Sequence, residues 1–168
     1  MLARVGREGW AKANSVRPPA VPTDLAGLTK ALSDPDPVVR GLAARALRAM
    51  GATAAPAVPA LAASLKDSDP TVRMAAGEAL AAVGPGAKAA VPELIAACRA
   101  PGQSVHVRRA AAQALGAIGP AAKEALPALR EVAADPTPHV GGVIDRTPSW
   151  AAKRAIEKIE QKPAGSIH

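Results

Sequence analysis

"LSDPDPVVRGLAARALRAMG" (residues 32–51) and "LKDSDPTVRMAAGEALAAVG" (residues 65–84) are the same pattern written twice, 33 residues apart. A third copy, "SVHVRRAAAQALGAIG" (104–119), keeps it. A fourth, "RTPSWAAKRAIEKIE" (146–160), keeps it in degraded form. Stacked, the copies form columns. Leu47, Leu80, Leu115 and Ile156 share one, and Met50, Val83, Ile118 and Ile159 another. Ala43, Ala76, Ala111 and Ala152 form a third, and Ala46, Ala79, Ala114 and Ala155 a fourth. The spacing i, i+3, i+4, i+7 is one face of an α-helix. The alanine columns predict close helix contacts.

Each copy follows a shorter apolar pattern, in which Leu28, Leu61, Leu94 and Leu129 align, as do Leu25, Val58, Val91 and Leu126. Pro59, Pro92 and Pro127 fall in the first turn of this first helix, where a missing N–H costs little. Asp36–Pro37 and Asp69–Pro70 place an N-cap acceptor before a proline at the first helical position. Ser104 and Thr147 take the cap role in the third and fourth copies. Gly51, Gly84 and Gly119 end the second helix, where positive φ is common. One such helix pair cannot bury its apolar stripe alone, whereas identical pairs in a stack make a continuous core. The expected fold is all-α, a right-handed α-solenoid of about four helix pairs. The units run over 24–51, 52–84, 85–119 and 120–160, with a basic segment at 1–23 and a tail at 161–168.

Composition agrees. Of 168 residues 49% are hydrophobic, yet Phe and Tyr are absent and Trp10 and Trp150 are the only aromatics. A core of Ala, Leu, Val and Ile suits helices better than sheets. The single Cys98 rules out an internal disulfide. It shares a column with Leu32, Leu65 and Ala133 and reads as a small buried hydrophobe. No run of 18 apolar residues occurs, so no membrane span is expected. The first residues lack the apolar core of a secretory signal, and the cytoplasm is the expected compartment. No phosphate-binding loop, nucleophile elbow or metal-ligand cluster is present. His106 and His139 share a column in adjacent units, but two histidines are too few for a zinc site. The expected protein is no enzyme and binds no cofactor or metal.

The period of 33 to 35 residues also fits tetratricopeptide and ankyrin repeats, but their aromatic columns and "TPLH" turn are missing. The run D-P-x-V-R-x-x-A-x-x-A-L-x-x-[IVM]-G, in Asp36–Gly51 and Asp69–Gly84, closely resembles bacterial HEAT-like repeats, the short kind also found in phycobilisome lyases. The resemblance covers residues 24–160. It implies that the Asp and Arg of the motif form a ladder along the stack: Asp36 with Arg40, Asp69 with Arg73, and Arg108 with Ser104 in place of Asp. Ser149 stands where the fourth Arg would be, so the ladder is expected to stop there. The resemblance also implies that the second helices line a concave face.

That face is expected to be basic. The second helices carry nine Lys or Arg against Glu78, Glu157 and Glu160, and the whole chain has a net charge of +7. Setting aside the ladder arginines leaves an excess of three. A basic face favours an acidic partner. Arg45, Arg48, Arg109, Trp150 and Arg154 are the candidate partner-binding residues. The fourth unit is longer, and Val140, Val143 and Ile144 fall in a Gly-rich stretch beside Trp150. Gly142–Trp150 is then either a binding loop with an exposed Trp or a cap over the end of the stack. The expected function is a non-catalytic protein-interaction scaffold with a protein partner, an acidic one if the basic face engages it. One alternative is nucleic-acid binding through the basic face. It is disfavoured because Trp150 is the only stacking aromatic there. Another is an accessory module of a larger enzyme. In residues 1–23, Leu2, Val5 and Trp10 fall on one side of a short helix before "RPPAVP". That helix either caps the flank of the first unit or links to something upstream.

Overall fold

The computed structural model describes residues 22–135 and 147–161. Among the described residues, eight α-helices alternate short and long: α1 (Leu25–Ala31), α2 (Pro37–Met50), α3 (Val58–Ser64), α4 (Pro70–Val83), α5 (Val91–Arg99), α6 (Val105–Ile118), α7 (Leu126–Ala134) and α8 (Pro148–Glu160). They form four pairs, an α-solenoid, with no strand among the described residues.

Each long helix starts on the expected cap. Asp36 accepts from the Val38 N–H at 2.8 Å, Asp69 from Thr71 at 2.7 Å, Ser104 from Val107 at 3.3 Å and Thr147 from Trp150 at 3.1 Å. α2, α4 and α6 end at Gly51, Gly84 and Gly119, with φ of 57°, 68° and 72° and ψ of −132°, −134° and −144°. L side chains rarely adopt such a backbone. The chain then enters a seven-residue 3₁₀ helix at each junction: Gly51–Ala57, Gly84–Ala90 and Gly119–Ala125. A three-residue turn puts Ala54 and Ala57, Ala87 and Ala90, and Ala122 and Ala125 on one edge, and all six are buried.

Leu28, Leu61, Leu94 and Leu129 of the short helices meet Leu47, Leu80 and Leu115 of the long ones in one core. The long helices stack directly on one another, α2 on α4, α4 on α6 and α6 on α8, much more extensively than the short helices do. Small residues make this possible. A Cβ at Gly77 would lie 3.0 Å from the Ala110 Cβ, and one at Gly116 2.9 Å from the Ala155 Cα. Residues 70–99 have the length and hydropathy of a membrane-crossing helix. The backbone at Gly84 divides them into α4 and α5, joined by a 3₁₀ turn.

Gly116→Ala is expected to push α8 away from α6 and cost roughly 1–3 kcal/mol by overpacking. Gly41→Ala meets only the Val72 Cγ2, at 3.9 Å. It is expected to be neutral, or to stabilise by about 0.5–1 kcal/mol through helix propensity. Urea unfolding of both variants tests the contrast.

Candidate protein-binding face

The arginine ladder exists, but its acceptors are not the expected ones. Asp36 and Asp69 cap their own helices. Arg40 instead reaches into the next unit. It donates from Nε and Nη2 to both carboxylate oxygens of Asp67, at 2.7 and 2.8 Å. Its Nη1 donates to the Asp34 and Pro35 carbonyls of its own loop. Arg73 repeats the arrangement, with Nη1 on the Asp67 and Ser68 carbonyls and Nε on Gln103 Oε1 at 3.0 Å. Arg108 donates to the Cys98 carbonyl and, at 2.9 Å, to Asp135. The rungs are therefore Asp67, Gln103 and Asp135. Ser104, expected to stand in for an Asp beside Arg108, serves as a cap. In the fourth unit the Ser149 hydroxyl donates to the Ala133 carbonyl at 2.8 Å, and the arginine series stops.

Asp67 has two duties, since its carboxylate also accepts the Asp69 N–H at 2.9 Å. The Arg40 guanidinium holds its carboxyl below the usual carboxylate range, against the opposing effect of burial. Asp67 in turn raises Arg40. The Thr71 N–H lowers Asp69. A thiol pushed up to about 12 by burial makes Cys98 an inert core residue, as its column implied.

The remaining cations do not form one patch. Arg48 is paired with Glu78 at 2.9 Å. Arg45 is exposed and lines a depression on the first unit with Val38, Leu42 and Thr71. Arg154 and Lys158 line a separate open groove of about 610 Å³ across α4, α6 and α8. Its floor is neutral and small: Ala81, Gly116 and Ala117, with Gln113 beside them. Trp150 forms part of the wall. It is half-buried against the core rather than exposed, and the Arg154 guanidinium lies 5.1 Å from the ring centroid. A broad indole one turn into α8 can lean back onto its helix neighbours, which a repeat column does not reveal. Arg109 is also partly buried, and its Nε has no hydrogen-bond partner. Arg45, Arg109, Lys153, Arg154 and Lys158 form no ion pair among the described residues. Val140, Gly142, Val143, Ile144 and His139 lie outside the described residues. Among the described ones, no three His, Cys, Asp or Glu are grouped to share a metal ion.

Residues 25–105 and 85–141 match the family model for HEAT repeats. Human deoxyhypusine hydroxylase, solved in complex with glycerol, is similar at 32% identity and a TM-score of 0.63, over 86% of this chain and 46% of that one. A chain from the complex of CpcE and CpcF of phycocyanin lyase from Nostoc sp. PCC7120 is 30% identical, with a TM-score of 0.62, over 83% of this chain and 53% of that one. An engineered protein at 24% identity and a TM-score of 0.63 shares the fold. The chain spans about half the length of the two natural proteins. The search of curated proteins found no match.

Because Asp67 is more acidic folded than unfolded, its contribution is complete at neutral pH and is lost as pH falls through the acid range. Asp67→Asn is expected to lower the melting temperature at pH 7 by roughly 5 °C. It is also expected to flatten the fall in stability below about pH 5. Thermal melts from pH 7 to pH 3 measure both effects.

Proposed function

The chain belongs to the HEAT-repeat family, and from there we propose that it is a non-catalytic scaffold that holds a segment of a protein partner on its second-helix face. The observation that carries this reading is the groove across α4, α6 and α8. A floor of Ala81, Gly116 and Ala117 lets a helix or extended strand approach closely. Trp150 and Arg154 are residue types that dominate binding energy at interfaces. The unpaired cations Arg109, Arg154 and Lys158 select for carboxylates on that segment. The similar chain from the complex of CpcE and CpcF supports assembly with another protein.

Two other readings have specific support. The 46% coverage of deoxyhypusine hydroxylase fits an accessory or partial role beside an enzyme. Nucleic acid would use the net charge of +7. Against it, Arg48 is neutralised by Glu78 and Arg45 stands apart from Arg154, so the charge tracks no continuous backbone path. A cytoplasmic bacterial setting belongs to the same proposal.

Fluorescence anisotropy distinguishes these outcomes, using labelled acidic amphipathic peptides, neutral controls and a DNA duplex across a salt series. The expected result is micromolar binding of acidic peptides, weakened at least tenfold by Arg109→Ala with Arg154→Ala. Tight, steeply salt-dependent duplex binding that is lost in Arg45→Glu, Arg48→Glu, Arg109→Glu, with no peptide binding, would replace this reading with nucleic acid.

A further inference from the structure

One rung of the ladder lacks its acid. The carboxylate that serves Arg40 belongs to Asp67, two residues before the cap Asp69. It takes three donors: Nε and Nη2 of Arg40 and the Asp69 N–H. Asp34, two residues before the cap Asp36, likewise accepts the Asp36 N–H at 2.9 Å. Two residues before the cap Ser104, however, stands Gly102. Gln103 replaces the missing acid only in part. Its Oε1 accepts from Arg73 Nε, and a neutral amide leaves the guanidinium without a counter-ion. Arg73 Nη2 and the Ser104 N–H correspond to donors that Asp67 satisfies one unit earlier. Neither has an acceptor among the described residues.

An open pocket of about 340 Å³ adjoins this gap, and Arg73, Gly102 and Gln103 line it. Gly102 has a φ of 72°, a conformation that favours glycine, and a Cβ there would meet nothing within 4 Å. The space that an acidic side chain fills at Asp67 is therefore empty of protein here. Much of the remaining wall is aliphatic: Leu65, Ala96, Ala97 and Pro101. The other charged residues of the lining are Lys66, Glu93 and Asp67, and Asp67 is already neutralised by Arg40. Lys66 and Arg73 against Glu93 leave an excess of one positive charge. That suits a single negative charge and opposes a dianion such as phosphate.

We propose that this pocket binds a monocarboxylate with a short aliphatic body. Its oxygens take Arg73 Nη2 and the Ser104 N–H, and its chain lies against Leu65, Ala96 and Ala97. A carboxylate on a guanidinium makes the strong, charge-assisted kind of hydrogen bond. The ligand completes from outside the rung that Asp67 completes from within the chain, and so ties the second unit to the third. Because it binds the folded stack, it also stabilises it. The site lies at the α3–α4 and α5–α6 loops and shares no lining residue with the groove across α4, α6 and α8, so neither proposal rests on the other.

The test is a chemical-shift titration of the ¹⁵N-labelled full chain with 4-methylpentanoate, 4-methylpentanamide and inorganic phosphate. Saturable shifts of the Ser104 amide and the Gln103 side-chain amide are expected with the acid. None are expected with the neutral amide, and only much weaker ones with phosphate. Acetyl-alanyl-leucine carries a similar chain on a peptide C-terminus and separates the two sources of such a group. Tighter binding than 4-methylpentanoate assigns the site to a peptide end, weaker binding to a free acid. Gln103→Glu supplies an internal carboxylate to Arg73. It is expected to raise the melting temperature and to weaken the acid at least tenfold, the loss of one charge-assisted hydrogen bond. Ala96→Leu narrows the pocket without touching the ladder, and is expected to weaken 4-methylpentanoate more than acetate. The proposal is overturned by equal shifts with the acid and its amide, by no saturable shift with either acid, or by unchanged binding in folded Gln103→Glu.

Discussion

Helices in this stack lie so close that one added carbon would force a shift at Gly116 and would be tight at Gly77. Much else follows from that spacing. With no Phe or Tyr, the chain builds its core from leucines set between columns of alanine, and the alanines fix how near the long helices come. The short helices contact one another far less. The alanine columns thus help build the core and bring the long helices together, both through side-chain size.

The ladder fixes register along the same stack. Arg40 and Arg73 tie carbonyls of their own loops, Arg108 ties the Cys98 carbonyl at the end of α5, and each also reaches an acceptor one unit on. The coupling is between nearest neighbours, as expected of a repeat array. It also removes three arginines from the pool available to a partner on the second-helix face. Arg48 is neutralised separately. A sequence count of positive charge therefore overstates what the face can offer, and the usable cations are those that no rung and no Glu has taken.

Repetition made most of the fold legible. Four pairs, their caps and their glycines are legible because each column recurs, the caps in four copies and the glycines in three. The 3₁₀ linkers were not foreseen, although the spacing of Ala54 from Ala57, and of Ala87 from Ala90, carries their three-residue period. The ladder acids were misread because Asp67 and Asp69 look alike in sequence. Position separates them: the acid next to the N1 proline must cap, and the acid two residues earlier is the one free to bridge. The groove floor left almost no signal. Ala81, Gly116 and Ala117 look like ordinary helix filler until the neighbouring helices show that they line one groove together.

That floor also shapes what binding there would be like. Alanine and glycine offer little apolar area, and at about 25 cal/mol per Å² they contribute shape more than energy. A bound segment must bring its own bulk, as the leucines do within the core. Among the residues that line the groove, Trp150 is the large apolar one, with Arg154 above its ring. The same helix carries two exposed carboxylates, Glu157 and Glu160. Glu160 is already taken by Arg130 at 3.0 Å. Under the proposed function, such a face would discriminate by fit and charge placement and would release readily any segment that lacks either.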